Sequence, residues 1–131
     1  MPDTNDKLPD EHPTTRILAM PTNTNAAGDI FGGWIMSQVD IAGSIAAYRH
    51  ANGRVVTVAV NSFHFKKPVF VGDLISCYAK VTKTGNTSIT THVEVYAERK
   101  RDDDICIKVT EANLTYVAVD KNRKPRPVPE E

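Results

Sequence analysis

The spacing of apolar and polar positions divides the chain into one helix and several strands. From about Ile30 to His50, apolar and small residues recur at intervals of three and four, which is typical of an amphipathic helix. Asp29 is the predicted N-cap of this helix, and the Asn52-Gly53 pair is predicted to end it in a left-handed conformation. The predicted buried face consists of Ile35, Met36, Val39, Ala42, Gly43, Ala46 and Ala47.

After Gly53 the pattern becomes that of β-strands. β-Branched and aromatic residues are frequent, turn residues separate the runs, and one run alternates strictly between apolar and polar positions. The last run is fifteen residues long, which predicts a bend or bulge near residues 111–113. A short apolar run before the helix is predicted to form an edge strand. The predicted strands are Arg16–Met20, Val55–Phe65, Leu74–Thr84, Ser88–Glu98 and Ile105–Val119.

This order of elements predicts an α+β fold in which a mostly antiparallel, five-stranded sheet wraps around a single long helix. Two such sheets laid edge to edge would cover an exposed edge strand, so a dimer is expected. Residues 14–120 are predicted to form the single folded domain. The polar, proline-containing ends predict a disordered arm at residues 1–13 and a flexible tail at residues 121–131.

Composition excludes several classes of function. Sixteen basic residues balance sixteen acidic ones, so no overall field attracts nucleic acid or an anionic membrane, and neither is an expected partner. The polar start is not a signal peptide, and no run reaches the ~20 apolar residues of a membrane span. Two separate cysteines, Cys77 and Cys106, suit a reducing compartment, which makes the cytoplasm the expected location. No metal site is predicted, because His12, His50, His64 and His92 lack metal-binding spacing.

The stretch NTNAAGDIFGGWIMSQVD, residues 23–40, contains the candidate chemistry. A polar loop leads into a helix that starts near Gly32-Gly33, where unpaired N–H groups and the positive end of the helix dipole could stabilise an oxyanion. Asp40, two turns further on, offers a carboxylate as a base. Each feature also has a purely structural interpretation: the glycines could serve tight packing, and Asp40 could face solvent or form a salt bridge.

Three runs resemble a known family: RILAMPTNTNAAGDIFGGWIMSQVD, GRVVTVAVNSFHFKKPVFVGD and TYVAVD, which spread over residues 16–120. They are similar to the hotdog-fold acyl-CoA thioesterases of the YciA type. The resemblance implies a hotdog fold, a double-hotdog dimer built into a hexamer, and hydrolysis of acyl-CoA to a carboxylic acid and CoA. It also implies that the catalytic acid is Asp40 and that the loop asparagine of the family is Asn25.

The predicted roles follow from this chemistry. Asp40 acts as general base or as nucleophile, and the sequence leaves both open. The Asn25 amide orients the water or the carbonyl oxygen, unless Asn25 is only a turn residue. Gly33 and Asp40 are roughly 10 Å apart along a helix, so one carbonyl group cannot contact both. We therefore expect Asp40 of one subunit to face Asn25, Gly32 and Gly33 of its two-fold partner.

The remaining expectations concern CoA and the alternative functions. Candidates for binding CoA are basic and hydroxyl residues that flank strands, although the lysines could equally be a solvated strand end. CoA is part of the substrate, so no separate cofactor is expected. The alternative functions are a hotdog hydratase or dehydratase, which would want a histidine in the loop and helix, and a non-catalytic acyl-CoA-binding module. The CoA-binding candidates are Arg54, Lys66, Lys67, Thr87 and Ser88.

Overall fold

The protein is described by a computed structural model that covers residues 6–100 and 104–129. One long helix and five strands form the described part, with a 3-10 turn at Pro21–Asn23 before the helix. The strand boundaries of β2 and β3 agree with those predicted from the sequence. The elements are β1 (Thr15–Leu18), α1 (Gly32–Ala51), β2 (Val55–Phe65), β3 (Leu74–Thr84), β4 (Ser88–Lys100) and β5 (Asp104–Ala118).

The five strands form one antiparallel sheet in the order β1-β3-β4-β5-β2, and α1 packs against its four longer strands. The predicted α+β architecture, a sheet wrapped around a single helix, is confirmed. In the described residues no helix is both long and apolar enough to cross a lipid bilayer. Fully buried side chains fill the core between helix and sheet, among them Val39, Ile75, Ile89, Val93, Leu114 and Tyr116.

The helix begins later than predicted. Its N-cap is Phe31, not Asp29, because the backbone carbonyl of Asp29 accepts a hydrogen bond from the Asn25 N–H (2.7 Å) and extended backbone continues to Phe31. The C-terminal prediction is confirmed, since Asn52 adopts the left-handed conformation with φ of 55°. The predicted burial of Met36 is wrong: this side chain is 37% exposed, whereas Trp34 is buried.

The predicted bulge in β5 is confirmed, but it lies two residues before the predicted position. Val95 pairs with Thr110 and Tyr96 with Lys108, so the extra residue of β5 is Val109 rather than one of residues 111–113. The pattern change at 111–113 instead coincides with a bulge in the neighbouring strand β2, where Ser62 has φ of 55°. The two bulges bend the sheet around the helix, because an extra residue increases the local twist of a strand.

The described parts of both terminal arms, residues 6–13 and 121–129, contact the domain, while residues 1–5 and 130–131 of the predicted arm and tail lie outside the described residues. Strand β2 stops pairing with β5 at Thr110, and on the open edge beyond that point the Asp6 N–H donates to the Cys106 carbonyl (2.8 Å). In the C-terminal arm, the Arg126 guanidinium donates to the Ala51 carbonyl at the end of α1 (3.1 Å). Composition alone could not predict these contacts, because their partners are backbone carbonyl groups that become available only once the sheet and the helix have formed.

One buried ion pair fixes the turn before β3. The Asp73 carboxylate is fully buried, and Arg99 of β4 donates to both of its oxygens at 2.8 Å. The Phe70 N–H also donates to this carboxylate (2.9 Å), and the Arg99 guanidinium lies 4.6 Å from the centre of the Phe70 ring. The hydrogen bonds to Asp73 raise the pKa of Arg99. Removing the arginine would therefore leave a buried carboxylate without a counter-charge.

We expect Arg99→Gln to lower the free energy of unfolding by about 3 kcal/mol, because breaking a buried pair strands the remaining charge. The measurement is urea denaturation followed by circular dichroism at one fixed protein concentration. Lys100→Gln is the matched control, since its pair with Asp104 is longer (3.7 Å) and exposed, and its loss is expected to cost less than about 0.5 kcal/mol. Equal urea midpoints for the two variants would show that the Asp73–Arg99 pair stabilises the fold no more than an exposed pair does.

Candidate active site

The loop before α1 folds back on itself and brings Asn25 to the start of the helix. Thr24 and Ile30 form an antiparallel bridge, and Gly28 closes the loop with φ of 89°, a conformation that favours glycine. Asn25 Oδ1 accepts hydrogen bonds from the Ala27 N–H (2.9 Å) and the Asp29 N–H (3.1 Å). The interpretation of Asn25 as a turn residue is therefore confirmed for its oxygen. Its amide NH₂ has no partner among the described residues, and the residue is exposed.

Gly32 and Gly33 form the first turn of α1, as the sequence suggested. Neither N–H donates to another described residue, which leaves two donors at the positive end of the helix. A Cβ on Gly32 would stand 2.9 Å from the Phe65 ring, and one on Gly33 would stand 3.3 Å from the Phe31 ring. Both glycines thus let an aromatic ring pack closely against the start of the helix, and their N–H groups remain without a protein acceptor in the described residues.

A cavity of about 380 Å³ opens beside Gly32, at the junction of α1 with the end of β2. Lys66 and Lys67, two of the predicted CoA-binding residues, line it together with apolar side chains. Lys66 is not free, because its ammonium lies 3.3 Å from the carboxylate of Glu111. The cavity is bounded by Ile30, Gly32, Ile35, Phe65, Lys66, Lys67, Pro68 and Val69.

Side chains from two strands of the sheet, β2 and β5, bind the Asp40 carboxylate. Its Oδ1 accepts hydrogen bonds from the Thr57 hydroxyl (2.9 Å) and from the Tyr116 hydroxyl (2.8 Å). Burial, and secondarily the hydrogen bond to Asp40, raise the pKa of Tyr116 above its usual value, so this hydroxyl remains a donor. Asp40 Oδ2 has no partner in the described part of the chain, so this oxygen is open to a further contact.

Gly43 is the reason that Tyr116 can reach the helix. A Cβ at Gly43 would lie 2.5 Å from the Tyr116 hydroxyl oxygen and 3.0 Å from Thr91 Oγ1. Any larger residue would push the tyrosine away from Asp40, which lies one turn earlier. The sequence predicts that Gly43 lies on the packed face, but it does not reveal Thr57 or Tyr116 as neighbours of Asp40. The inward alternation of β5 was the only available signal for Tyr116.

Within one chain the site is in two parts. Asn25, Gly32, Gly33 and the cavity lie at the N-terminal end of α1, and Asp40 does not line that cavity. Both glycines and Asp40 belong to one continuous helix, so Asp40 lies roughly 10 Å further along its axis than Gly33.

The predicted CoA-binding residues also separate into two groups. Arg54, Thr87 and Ser88 lie where β2 starts: the Arg54 carbonyl accepts the Val119 N–H (3.0 Å), and the Thr87 carbonyl accepts the Ala118 N–H (2.9 Å). Lys66 and Lys67 follow the other end of that strand, roughly 35 Å away at ~3.3 Å per residue. A single chain does not bring the two groups together.

One cluster escaped the sequence analysis, which treated each histidine separately. Ligand atoms of His92, Glu94 and Glu111 lie within 4.8 Å of one another on β4 and β5. The two carboxylates already bind the Lys108 ammonium at 3.4 and 2.9 Å, and His92 Nδ1 lies 2.8 Å from Asn113 Oδ1. Antiparallel register, which places Glu94 opposite Glu111, creates this cluster, so no spacing along the sequence could reveal it.

Comparison with known proteins places this geometry in a family. A model of the Thioesterase superfamily matches residues 27–103. The acyl-CoA thioester hydrolase YciA of Salmonella typhimurium is 51% identical over 128 residues, which covers 96% of each chain. The hexameric thioesterase y2039 from Yersinia pestis superposes with a TM-score of 0.86 at 52% identity, over 95% of this chain and 100% of that one.

A more distant relative bears on the site residues. The acyl-CoA hydrolase from Staphylococcus aureus, solved with butyryl coenzyme A, is 30% identical with a TM-score of 0.79, over 88% of this chain and 70% of that one. Two further structures of that hydrolase carry alanine in place of an aspartate and in place of an asparagine fifteen residues earlier. Asn25 and Asp40 have the same spacing. By sequence and by fold, the chain belongs to the Thioesterase superfamily, with the hotdog architecture of one helix in a five-stranded antiparallel sheet.

Proposed function

We propose that this protein is an acyl-CoA thioesterase, which hydrolyses acyl-CoA to a carboxylic acid and free CoA. The observation that carries the proposal is the geometry of Asp40. Its Oδ1 is fixed by Thr57 and Tyr116 while its Oδ2 stays unengaged, on the same helix whose first turn offers the free N–H groups of Gly32 and Gly33. The similarity to YciA over nearly the whole chain supports the choice of an acyl-CoA substrate.

Asp40 starts the reaction in one of two ways. As a general base it takes a proton from water while the water oxygen attacks the carbonyl carbon, the C–S bond breaks, and the departing thiolate takes up that proton. As a nucleophile it attacks the carbonyl carbon itself, releases the thiolate, and forms an anhydride that water then hydrolyses. In both routes Thr57 and Tyr116 hold the carboxylate in one orientation, which reduces the entropic cost of the attack.

The oxyanion that develops on the carbonyl oxygen needs donors already in place. The Gly32 and Gly33 N–H groups, at the positive end of α1, serve this role, and the free NH₂ of Asn25 helps to orient the carbonyl oxygen or the water. Loss of one such donor typically costs about 10²-fold or more in rate. Because Asn25 Oδ1 is held by two backbone N–H groups, its NH₂ has a fixed direction.

The two parts of the site meet in a dimer. Strand β2 is an edge of the sheet and exposes Val56, Val58 and Val60, so we propose that β2 strands of two copies pair antiparallel about a two-fold axis. That arrangement sets Asp40 of one subunit against the Asn25 and glycine region of the other. It also brings the Arg54 end of one β2 next to the Lys66 end of the other.

The oligomeric state, the cofactor requirement and the cellular location are also proposals. Because y2039 is hexameric, we propose that three dimers form a hexamer here as well. Water is the only other reactant, so the reaction is proposed to need no metal or cofactor. Two cysteines, Cys77 and Cys106, are too few and too far apart in the sequence to form a disulfide framework, which supports the proposal of a cytoplasmic location.

The two alternatives have less support. A hydratase or dehydratase moves a proton at carbon and would want a histidine, but no histidine lines the cavity beside Gly32. A non-catalytic acyl-CoA-binding module would keep the cavity without needing a carboxylate fixed at Asp40. Turnover of a thioester by the purified protein separates the enzyme from the binding module.

Asp40→Asn is expected to lower kcat by about 10²-fold or more, because an amide can neither accept the proton nor attack the carbonyl carbon. The measurement is release of free CoA thiol from a panel of acyl-CoAs, with acyl-CoA binding followed by calorimetry. Asp10→Asn, at an exposed residue outside the site, is the control with the same chemical change. Unchanged turnover in Asp40→Asn would refute the catalytic role of Asp40. No turnover by the wild type, with acyl-CoA still bound, would refute the thioesterase function.

The composite site predicts complementation between two weak variants. Asp40→Ala and Asn25→Ala subunits, mixed in equal amounts and allowed to exchange, should regain about one quarter of wild-type activity, since half of the dimers then contain one intact site. The activity is measured before and after exchange, with mass spectrometry used to verify mixed dimers. If mixed dimers form and activity stays at the level of the separate variants, each site is built from one chain only.

Tyr116 is proposed as a positioning residue for Asp40. Tyr116→Phe is expected to lower kcat about tenfold with little change in KM, because it frees the carboxylate without touching the substrate. Steady-state kinetics make this measurement, and thermal unfolding shows whether the variant remains folded. Tyr48→Phe, at an exposed tyrosine on the same helix, is the matched control. A rise in KM at constant kcat would assign Tyr116 to substrate binding instead.

A further inference from the structure

Three metal-ligating side chains converge on the face of the sheet that points away from α1. His92 and Glu94 belong to β4 and Glu111 to β5, and their ligand atoms lie within 4.8 Å of one another. The alternating neighbours Val93 and Val95 are fully buried against the core, so the three side chains lie on the outer face. All three are partly exposed, and an ion from solvent can therefore reach them.

The distances within this cluster fit a coordination site better than a hydrogen-bonded ion pair. His92 Nε2 lies 3.5 Å from Glu94 Oε2 and 3.4 Å from Glu111 Oε1. An imidazolium that donated to either carboxylate would lie ~2.7–2.9 Å from the accepting oxygen. Two ligand atoms that share one tetrahedral Zn²⁺, each ~2.1 Å from the ion, lie ~3.4 Å apart. Both observed separations match the second arrangement.

A hydrogen bond on the far side of the imidazole leaves Nε2 free to bind a metal. His92 Nδ1 lies 2.8 Å from Asn113 Oδ1, which can only accept, so Nδ1 carries a proton. In the neutral ring Nε2 then has a lone pair, and its nearest charged neighbours are two carboxylates, which are acceptors as well. Metal-ligating histidines have this arrangement, because the hydrogen bond of the other ring nitrogen fixes the tautomer and the ring orientation.

Lys108 shows that the two carboxylates attract a cation. Its ammonium lies 2.9 Å from Glu111 Oε1 and 3.4 Å from Glu94 Oε2, the same two oxygens that flank His92 Nε2. It makes no hydrogen bond to His92 in the described part of the chain, so it satisfies the carboxylates but not the imidazole. The lysine side chain is 27% exposed and flexible, and it can move into solvent when an ion takes its place.

A cavity of about 180 Å³ beside the cluster gives an ion access and leaves room for water ligands. His92 and Glu94 line this cavity, and Glu11 from the chain before β1 lines it as well. One water needs ~15 Å³ of such volume, so the waters that complete a coordination shell fit easily. The polar lining gives those waters hydrogen-bond partners.

We propose that His92, Glu94 and Glu111 bind one Zn²⁺ ion, with water completing a tetrahedral shell. One imidazole nitrogen and two carboxylate oxygens are ligands that Zn²⁺ accepts, whereas Mg²⁺ takes oxygen ligands and stays largely hydrated. Glu111 binds Lys66 through its other oxygen, Oε2, so the ion leaves that pair in place. The ion joins β4 to β5 on the face away from Asp40 and takes no part in thioester hydrolysis. The inference therefore does not rest on the proposed function.

Calorimetric titration of the untagged, full-length protein with ZnCl₂, after treatment with a chelator and dialysis, tests the proposal. The wild type should bind one Zn²⁺ per chain, and its unfolding temperature should rise because only the folded state brings the three ligands together. His92→Gln should lower the affinity at least tenfold, and Asn113→Ala should lower it about tenfold, as loss of an outer-shell partner does. Lys108→Gln should raise the affinity, since the ion no longer displaces an ammonium. His50→Gln, in the last turn of α1, is the control with the same chemical change.

The outcomes either support or overturn the zinc site, and circular dichroism shows that each variant is folded. No binding by the wild type at ~100 μM Zn²⁺ would overturn it. Binding that His92→Gln leaves unchanged, or that His50→Gln lowers equally, would show an adventitious ion only. Weaker binding by Lys108→Gln would contradict the competition between the ion and the ammonium, and with it the proposed position of the ion. Mg²⁺ binding as tight as that of Zn²⁺ would refute the role of the imidazole.

Discussion

The close approach of α1 to the sheet at Gly43 is the constraint on which the site depends. Because this residue has no side chain, the buried Tyr116 hydroxyl comes within hydrogen-bond distance of both the Asp40 carbonyl (3.0 Å) and its carboxylate (2.8 Å). A half-buried carboxylate would be costly without such partners. The contacts that pack the core at Gly43 therefore also fix the orientation of the Asp40 carboxylate.

The same helix is the reason for proposing a site built from two chains. A helix presents unpaired N–H groups only in its first turn, so the backbone donors proposed for an oxyanion are those of Gly32 and Gly33. The carboxylate, in contrast, must lie where the sheet can hold it, above Thr57 and Tyr116. Seven residues of helix separate the proposed donors from the carboxylate, and the proposed two-fold axis beside the open edge of β2 would bring them together from different subunits.

Most of the fold could be predicted from the sequence because the strands alternate clearly and the turns carry glycine. The helix start could not, because Asp29 is a good N-cap by type, yet its backbone is engaged by Asn25 in the loop. In the site, Asp40 and the glycines stand out by residue type, whereas Thr57 and Tyr116 come from strands whose register only the structure gives. The contacts of the terminal arms depend on backbone groups that the sheet leaves unpaired, which no local pattern records.

The distribution of charge is likewise set by register and not by composition. On the outer face of β4 and β5, hydrogen bonds from Lys108 and then Lys66 lower the pKa of Glu111 to about 2, so this carboxylate stays ionised near neutral pH and keeps both lysines engaged. Asp73 engages Arg99 in the same way. Strand register and the turn before β3 thus decide which acids and bases meet, and a chain with equal numbers of both still gathers its charges into separate local groups.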